Sequence, residues 1–132
     1  LAGAATYNIY GTLFEGTNAI LTNSYFAGAS KSSAAADLAE WYAAHKKTQD
    51  LFTSTGADAA KMIVMALTRN PSQNVDTMIK NLEGKSWVGV KGLMRIDAKS
   101  HLLIQPMFLV SLNKSGSRYV PSLIKTIASV GK

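Results

Sequence analysis

The sequence predicts an α/β fold. Two long segments carry apolar residues at helical spacing behind capping residues, and a shorter one opens on Asn74 and closes on Gly84. Around them lie β-favouring runs separated by Gly and Asx turns. Strands alternating with helices make the class α/β. A Gly-bounded hairpin adds antiparallel pairs, so helices are expected to pack on a mixed sheet.

Each element follows from its residues. Leu1–Thr12 is Ala/Gly/Tyr-rich and reads as a loop with a short helix; Ala19–Tyr25 reads as a strand. Ser32 or Ser33 caps a helix whose Ala34, Leu38, Trp41, Tyr42 and His45 recur on one side. Asp37 and Glu40 fall early in it and His45, Lys46 and Lys47 late, matching the helix dipole. A second helix is expected from Ser54 or Thr55 to about Arg69, with Ala59, Met62, Ile63, Ala66 and Leu67 as its stripe and Asp58 in its first turn. Asn70-Pro71-Ser72 ends it. Asn74 caps a short helix with Asp76 in the first turn, Met78, Ile79 and Leu82 inward, and Gly84 as the closing glycine. Trp87–Val90, Leu93–Ile96 and Leu102–Leu112 read as strands, with Asp97–Ser100 and Asn113–Ser117 as turns. Gly89 and Gly92 imply close backbone approach or a bulge. Pro121 then opens a predicted last helix bearing Leu123, Ile124, Ile127 and Val130. Trp41 and Trp87 are expected in the core.

Composition narrows the function. The chain has 132 residues, 47% hydrophobic and 17% charged, as an ordinary single domain does. Its net charge of +6 is spread along the sequence, densest at Lys91, Arg95 and Lys99. No Arg-rich run or aromatic-basic signature marks a nucleic-acid face. The absence of cysteine removes disulfides and thiolate chemistry. His45 and His101 stand alone without metal-ligand spacing, so neither a metal nor a cofactor is expected. There is no G-x-S-x-G elbow, phosphate loop or G-x-G-x-x-G after a strand, and the chain is not read as an enzyme.

An ordered set of motifs carries a resemblance: Tyr25-Phe26, the helix from Ala34, the Phe52 turn, Ala57-Asp58-Ala59, Asn81-Leu82-Glu83-Gly84, Trp87-Val88-Gly89-Val90-Lys91-Gly92, Asp97, His101 and Gln105-Pro106. In that order they resemble the closing third of a type I periplasmic solute-binding protein of the branched-chain amino acid type, over roughly Leu13–Leu112. The departures are Ala57, where the family often has an aromatic residue in a wall of its ligand pocket, and Val90, where it often has Pro. The resemblance implies a C-terminal fragment of a two-lobe fold. Residues 1–26 would end the second lobe, 27–90 would supply helices of the first, and 91–132 would form a crossover hairpin and C-terminal helix. It implies capture of a small solute, an amino acid or other small organic acid or amide, in the interlobe cleft. The expected partners are an ABC transporter permease and the missing N-terminal part or a second, swapped copy. The expected location is periplasmic or extracellular, with a lipoprotein anchor as one form. A ligand-sensing receptor of the same fold, or an unrelated α/β interaction module, are the alternatives.

The resemblance also nominates ligand-binding residues. Phe52 would lie over the apolar part of a solute; the competing reading is a plug between helices. Thr6 and Tyr7 would offer hydroxyls from the second-lobe side, against a plain surface or core role. Tyr25 would form a cleft wall, against hinge packing.

Overall fold

The computed structural model describes residues 20–68, 74–116 and 118–131. In chain order these form β1 (Ile20–Asn23), α1 (Ser33–Ala44), α2 (Leu51–Leu67), α3 (Val75–Leu82), β2 (Ser86–Gly89), β3 (Gly92–Ile96), β4 (Leu103–Ser115) and β5 (Arg118–Val130). Every strand pairing among the described residues is antiparallel. β4 is the spine: β3 and then β1 lie along it, β5 also pairs with it, and β2 closes the hairpin with β3.

β4 shows why it is central. Ile104, Pro106, Phe108, Val110 and Leu112 alternate into the buried face, the two-residue period of a half-covered strand. Leu21, Phe26, Phe108, Val110 and Leu112 make one core cluster, with Phe26 edge-on to Phe108. Trp87, Met94 and Ile96 make another, capped by Met62 and Met65 of α2 and Leu82 of α3. Tyr25, Ala35 and Val90 form a third, where α1 meets the β2–β3 turn.

The caps explain the helix limits. Ser32 Oγ accepts the Ala35 N–H and fixes the start of α1. α2 begins before the Ser54 or Thr55 expected from sequence, because Asp50 and Thr53 form a reciprocal capping box. Asp58 therefore lies well inside α2, where the end dipole has little effect. Asn74 opens α3 as expected, accepting from Thr77 N–H. Gly84 follows the Glu83 cap with φ of 68°. In α1 the first turn holds no acid and the last no base; Asp37 and Glu40 come later than the dipole argument needs, and Lys46 and Lys47 lie past the end. His45 still serves the C-terminus, its Nδ1 2.7 Å from Trp41 O. Trp41 is 49% exposed, stacked on His45 rather than in the core; Trp87 is buried as expected.

The predicted C-terminal helix is a strand. β5 is rich in β-branched side chains, Val120, Ile124, Thr126, Ile127 and Val130, which favour extended backbone. Its register against β4 shifts near Gln105/Met107 and Leu109/Val110. Leu123, Ile124, Ile127 and Val130 fall at a helix-like spacing in the sequence, yet all four are exposed on the strand. Pro121 is accommodated because β5 pairs only with β4 among the described strands, and an edge strand tolerates a missing N–H. The Asn113–Ser117 turn tightens accordingly to the segment after Ser115, where Gly116 takes φ of 61°.

Gly89 and Gly92 behave as expected. Gly92 turns the hairpin at φ of 112°, and a Cβ on Gly89 would collide with Asp58 Oδ1 and the Met94 methyl. Gly89→Ala should therefore destabilise the fold by about 2–3 kcal/mol through overpacking. Gly116→Ala, which meets open space but needs positive φ, should cost about 1 kcal/mol. Urea unfolding of the two variants checks the ranking.

Candidate functional site

The start of α2 carries Phe52. Asp50 Oδ1 accepts the N–H of Phe52 (2.9 Å) and of Thr53 (3.0 Å), and Thr53 Oγ1 returns a bond to Asp50 O (2.8 Å). This box fixes the first turn and leaves the Phe52 ring 64% exposed. Phe52 thus stands in the helix itself, not in a turn before it, and among the described residues it plugs no gap between helices. Tyr25 lies behind this segment. It is 1% exposed, and its hydroxyl donates to Gln49 Oε1 at 2.8 Å. The structure brings Tyr25 and the approach to Phe52 together through Gln49, with Tyr25 as packing. Thr6 and Tyr7 lie outside the described residues.

A second polar centre joins α2 to the β2–β3 hairpin. Asp58 is 4% exposed, and its Oδ1 accepts the Val90 N–H at 2.8 Å. Asp58 Oδ2 is buried with no hydrogen-bond partner among the described residues. Burial pushes the Asp58 carboxyl above its ordinary value of 3.8, against the Val90 N–H and the Lys91 charge, which pull it down. Lys91 is also buried; its ammonium donates to Thr55 Oγ1 (3.2 Å) and Gln105 Oε1 (3.3 Å). Burial lowers its pKa from the usual 10.5, and the charge of Asp58 offsets part of that. Two further bonds reach the same turn: Ser32 Oγ donates to Gly89 O at 2.8 Å and Lys61 Nζ to Val88 O at 2.9 Å. Asp58 was legible in sequence only as a helix-end acid. Its one other signal was the Gly89–Gly92 pair, which announced that something approaches the hairpin closely.

Ala57 lines a cavity of about 310 Å³ between α1, α2 and Val90; Phe52 does not line it. His101 bonds through Nε2 to Glu83 Oε1 at 3.1 Å. Among the described residues no three His, Cys, Asp or Glu gather as a metal site. No described helix is long and apolar enough to cross a membrane.

The sequence pattern of the periplasmic binding protein family matches residues 7–117. The chain belongs to that family. Solved structures agree on the fold. An ABC-type branched-chain amino acid transporter protein of Rhodopseudomonas palustris CGA009 superposes with a TM-score of 0.84 at 19% identity, covering 97% of this chain and 36% of that one. The substrate-binding protein of an amino acid ABC transporter from Pseudomonas fluorescens Pf-5 gives 0.80 at 16% identity, over 98% and 36% of the two chains. A solute-binding protein of an R. palustris ABC transporter, in complex with benzoate, gives 0.70 at 17% identity, over 100% and 37%. The chain thus spans little more than a third of the length of these structures. No curated protein matches it.

The Asp58 geometry sets a pH dependence. Its folded pKa is raised, so the stability it contributes is complete below its unfolded value and is lost as pH rises through the folded one. Asp58→Asn keeps an acceptor for Val90 without the charge. Relative to the parent it should gain stability as pH climbs above the ordinary carboxylate value of 3.8. Asp58→Leu orphans the Val90 N–H and should lose about 2 kcal/mol. Denaturant melts across that range check both.

Proposed function

We propose that this chain is the C-terminal part of the extracytoplasmic solute-binding component of an ABC importer. It would help close an interlobe cleft on a small amino acid or a small organic acid, including aromatic acids, without catalysing a reaction. The observation that carries the reading is the family match over residues 7–117 together with Phe52, held exposed on a capped helix start. The assignment of residues 1–26 to the second lobe, 27–90 to the first and 91–132 to a crossover belongs to the same proposal, with a strand in place of the last helix. Binding would shift two lobes toward a closed form that a membrane permease reads.

Phe52 supplies the apolar contact to the solute. Tyr25 positions it through Gln49, and Thr6 and Tyr7 offer hydroxyls from the other side. The neighbours support both ligand classes: one is named for branched-chain amino acid transport and another holds benzoate.

The apolar surface supports a partner within the same assembly. Ile63, Val64 and Leu67 of α2, Val75 and Ile79 of α3, and Val120, Leu123 and Ile124 of β5 are all exposed. Exposed apolar surface of this kind supports an interface. The remainder of a longer chain, or a second copy, would cover it.

Two measurements test this. In a thermal-shift screen of branched-chain amino acids and hydroxybenzoates, at least one solute should raise the melting temperature of the protein carrying this chain. Phe52→Ala should weaken that solute about tenfold, the loss of one aromatic contact, without unfolding the protein. No stabilising solute, or an unchanged affinity in Phe52→Ala, contradicts the assignment. The 132 residues alone should run in light scattering as a dimer or larger; a stable monomer contradicts the covering partner.

A further inference from the structure

We propose that the C-terminal end of α1 is a docking surface, apart from the cleft at Phe52, for an acidic segment of a partner protein. Trp41, Tyr42, His45, Lys46 and Lys47 build it around one helix end.

Trp41 is exposed, yet its ring is held in place. The His45 imidazole stacks on it with ring centres 4.0 Å apart, and His45 Nδ1 is itself tied to Trp41 O at 2.7 Å. Tyr42 meets the indole edge-on at 5.1 Å, and Lys47 Nζ lies over it, 5.9 Å from its centre. A large side chain that is already fixed loses little freedom on binding. Tryptophan and tyrosine are also the residues on which protein interfaces concentrate their energy.

The backbone places the charge beside that ring. The Lys46 N–H bonds to Ala43 O at 3.0 Å and the Lys47 N–H to Tyr42 O at 2.9 Å, and Lys46 takes φ of 53°. Glycine is the usual residue for that conformation after a helix, and a larger side chain carries a cost there. Lys46 nevertheless sets an ammonium beside Lys47 and His45. Neither lysine forms an ion pair among the described residues. Asp37 and Glu40 lie more than a turn back from His45 along α1, and the Asp50 carboxylate accepts the first N–H groups of α2. The indole N–H, the Tyr42 hydroxyl and both ammonium groups have no acceptor among the described residues. Donors and cations around a fixed ring fit a carboxylate-rich partner, whose charge strengthens each hydrogen bond it accepts.

Other anionic partners fit less well. Anchoring to an anionic membrane takes clusters of about four to eight basic residues, more than this helix end supplies. His45 already occupies one face of the indole, and no arginine lies in the turn, which leaves little for a nucleic acid to stack on.

Titration of the isotope-labelled protein carrying this chain with hexaglutamate tests the surface, with hexalysine as the control for sign. Hexaglutamate should shift the Trp41 indole signal, identified by its loss in Trp41→Phe, and hexalysine should not. The affinity should fall as salt rises from about 0.01 to 0.15 M, because screening shortens the reach of exposed charges. Reversing Lys46 and Lys47 together to Glu should weaken the peptide about tenfold. Reversing Lys80 of α3 and Lys99 of the β3–β4 turn changes the net charge equally and should weaken it about threefold or less. Trp41→Ala should weaken it about tenfold. All these side chains are exposed, so the variants should fold, and an unchanged signal from the buried Trp87 indole reports that they do. An unmoved Trp41 signal, equal losses in the two charge reversals, or unchanged binding in Trp41→Ala would overturn the surface. So would a Trp41 response to phosphatidylglycerol vesicles in place of the peptide. Phe52→Ala, or a cleft that takes no solute, leaves these readouts unchanged, so the two proposals fail separately.

Discussion

Asp58 accepts the Val90 N–H from within the third turn of α2, and most of what joins the helices to the sheet converges on that point. Ser32 and Lys61 bond to the carbonyls of Gly89 and Val88, and Lys91 reaches back to Thr55. Two helices therefore grip one tight hairpin by its backbone. The hairpin in turn passes its register to β4 through β3. A buried carboxylate is a costly way to make such a joint, because desolvation opposes its charge. It is tolerated here because Gly89 lets the backbone come close and Val90 offers an N–H. A proline at position 90, as the family often has, would remove that donor, so in this chain Asp58 and Val90 depend on each other.

The elements that came through in the sequence were those whose signals are local. Asn74 and Gly84 bracket α3, Ser32 opens α1, and the two-residue alternation of β4 is unbroken over its buried stretch. What did not come through depends on distant partners. The start of α2 was hidden because Asp50 looks like part of a polar break until Thr53 completes the box. β5 reads as a helix in the sequence because Pro121 suits a helix start and Leu123, Ile124, Ile127 and Val130 fall at helical spacing, while its pairing with β4 is set by a distant segment. Trp41 was assigned to the core by periodicity alone, although His45 can cover one face of its ring at the surface.

The site was legible to a similar degree. Phe52 was nominated through the resemblance, and it stands exposed on a capped helix start. Tyr25 was nominated beside it, and it is buried and bonded to Gln49. Asp58 and Lys91 were missed because a single acid and a single lysine carry no sequence signature; only the fold brings them near each other. The exposed apolar faces of α2, α3 and β5 belong to the same picture. The chain covers 36% of the length of a structural neighbour, and these faces are the ones proposed to be covered by a partner.

The most direct test of the Asp58 joint is amide hydrogen exchange at Val90, read against the β4 amides. If the carboxylate secures the hairpin to α2, the Val90 amide exchanges only through global unfolding, and Asp58→Leu accelerates it more than it accelerates β4. If Val90 exchanges at the rate of an open turn in the parent protein, the hairpin is held by packing alone and the joint described here does not exist.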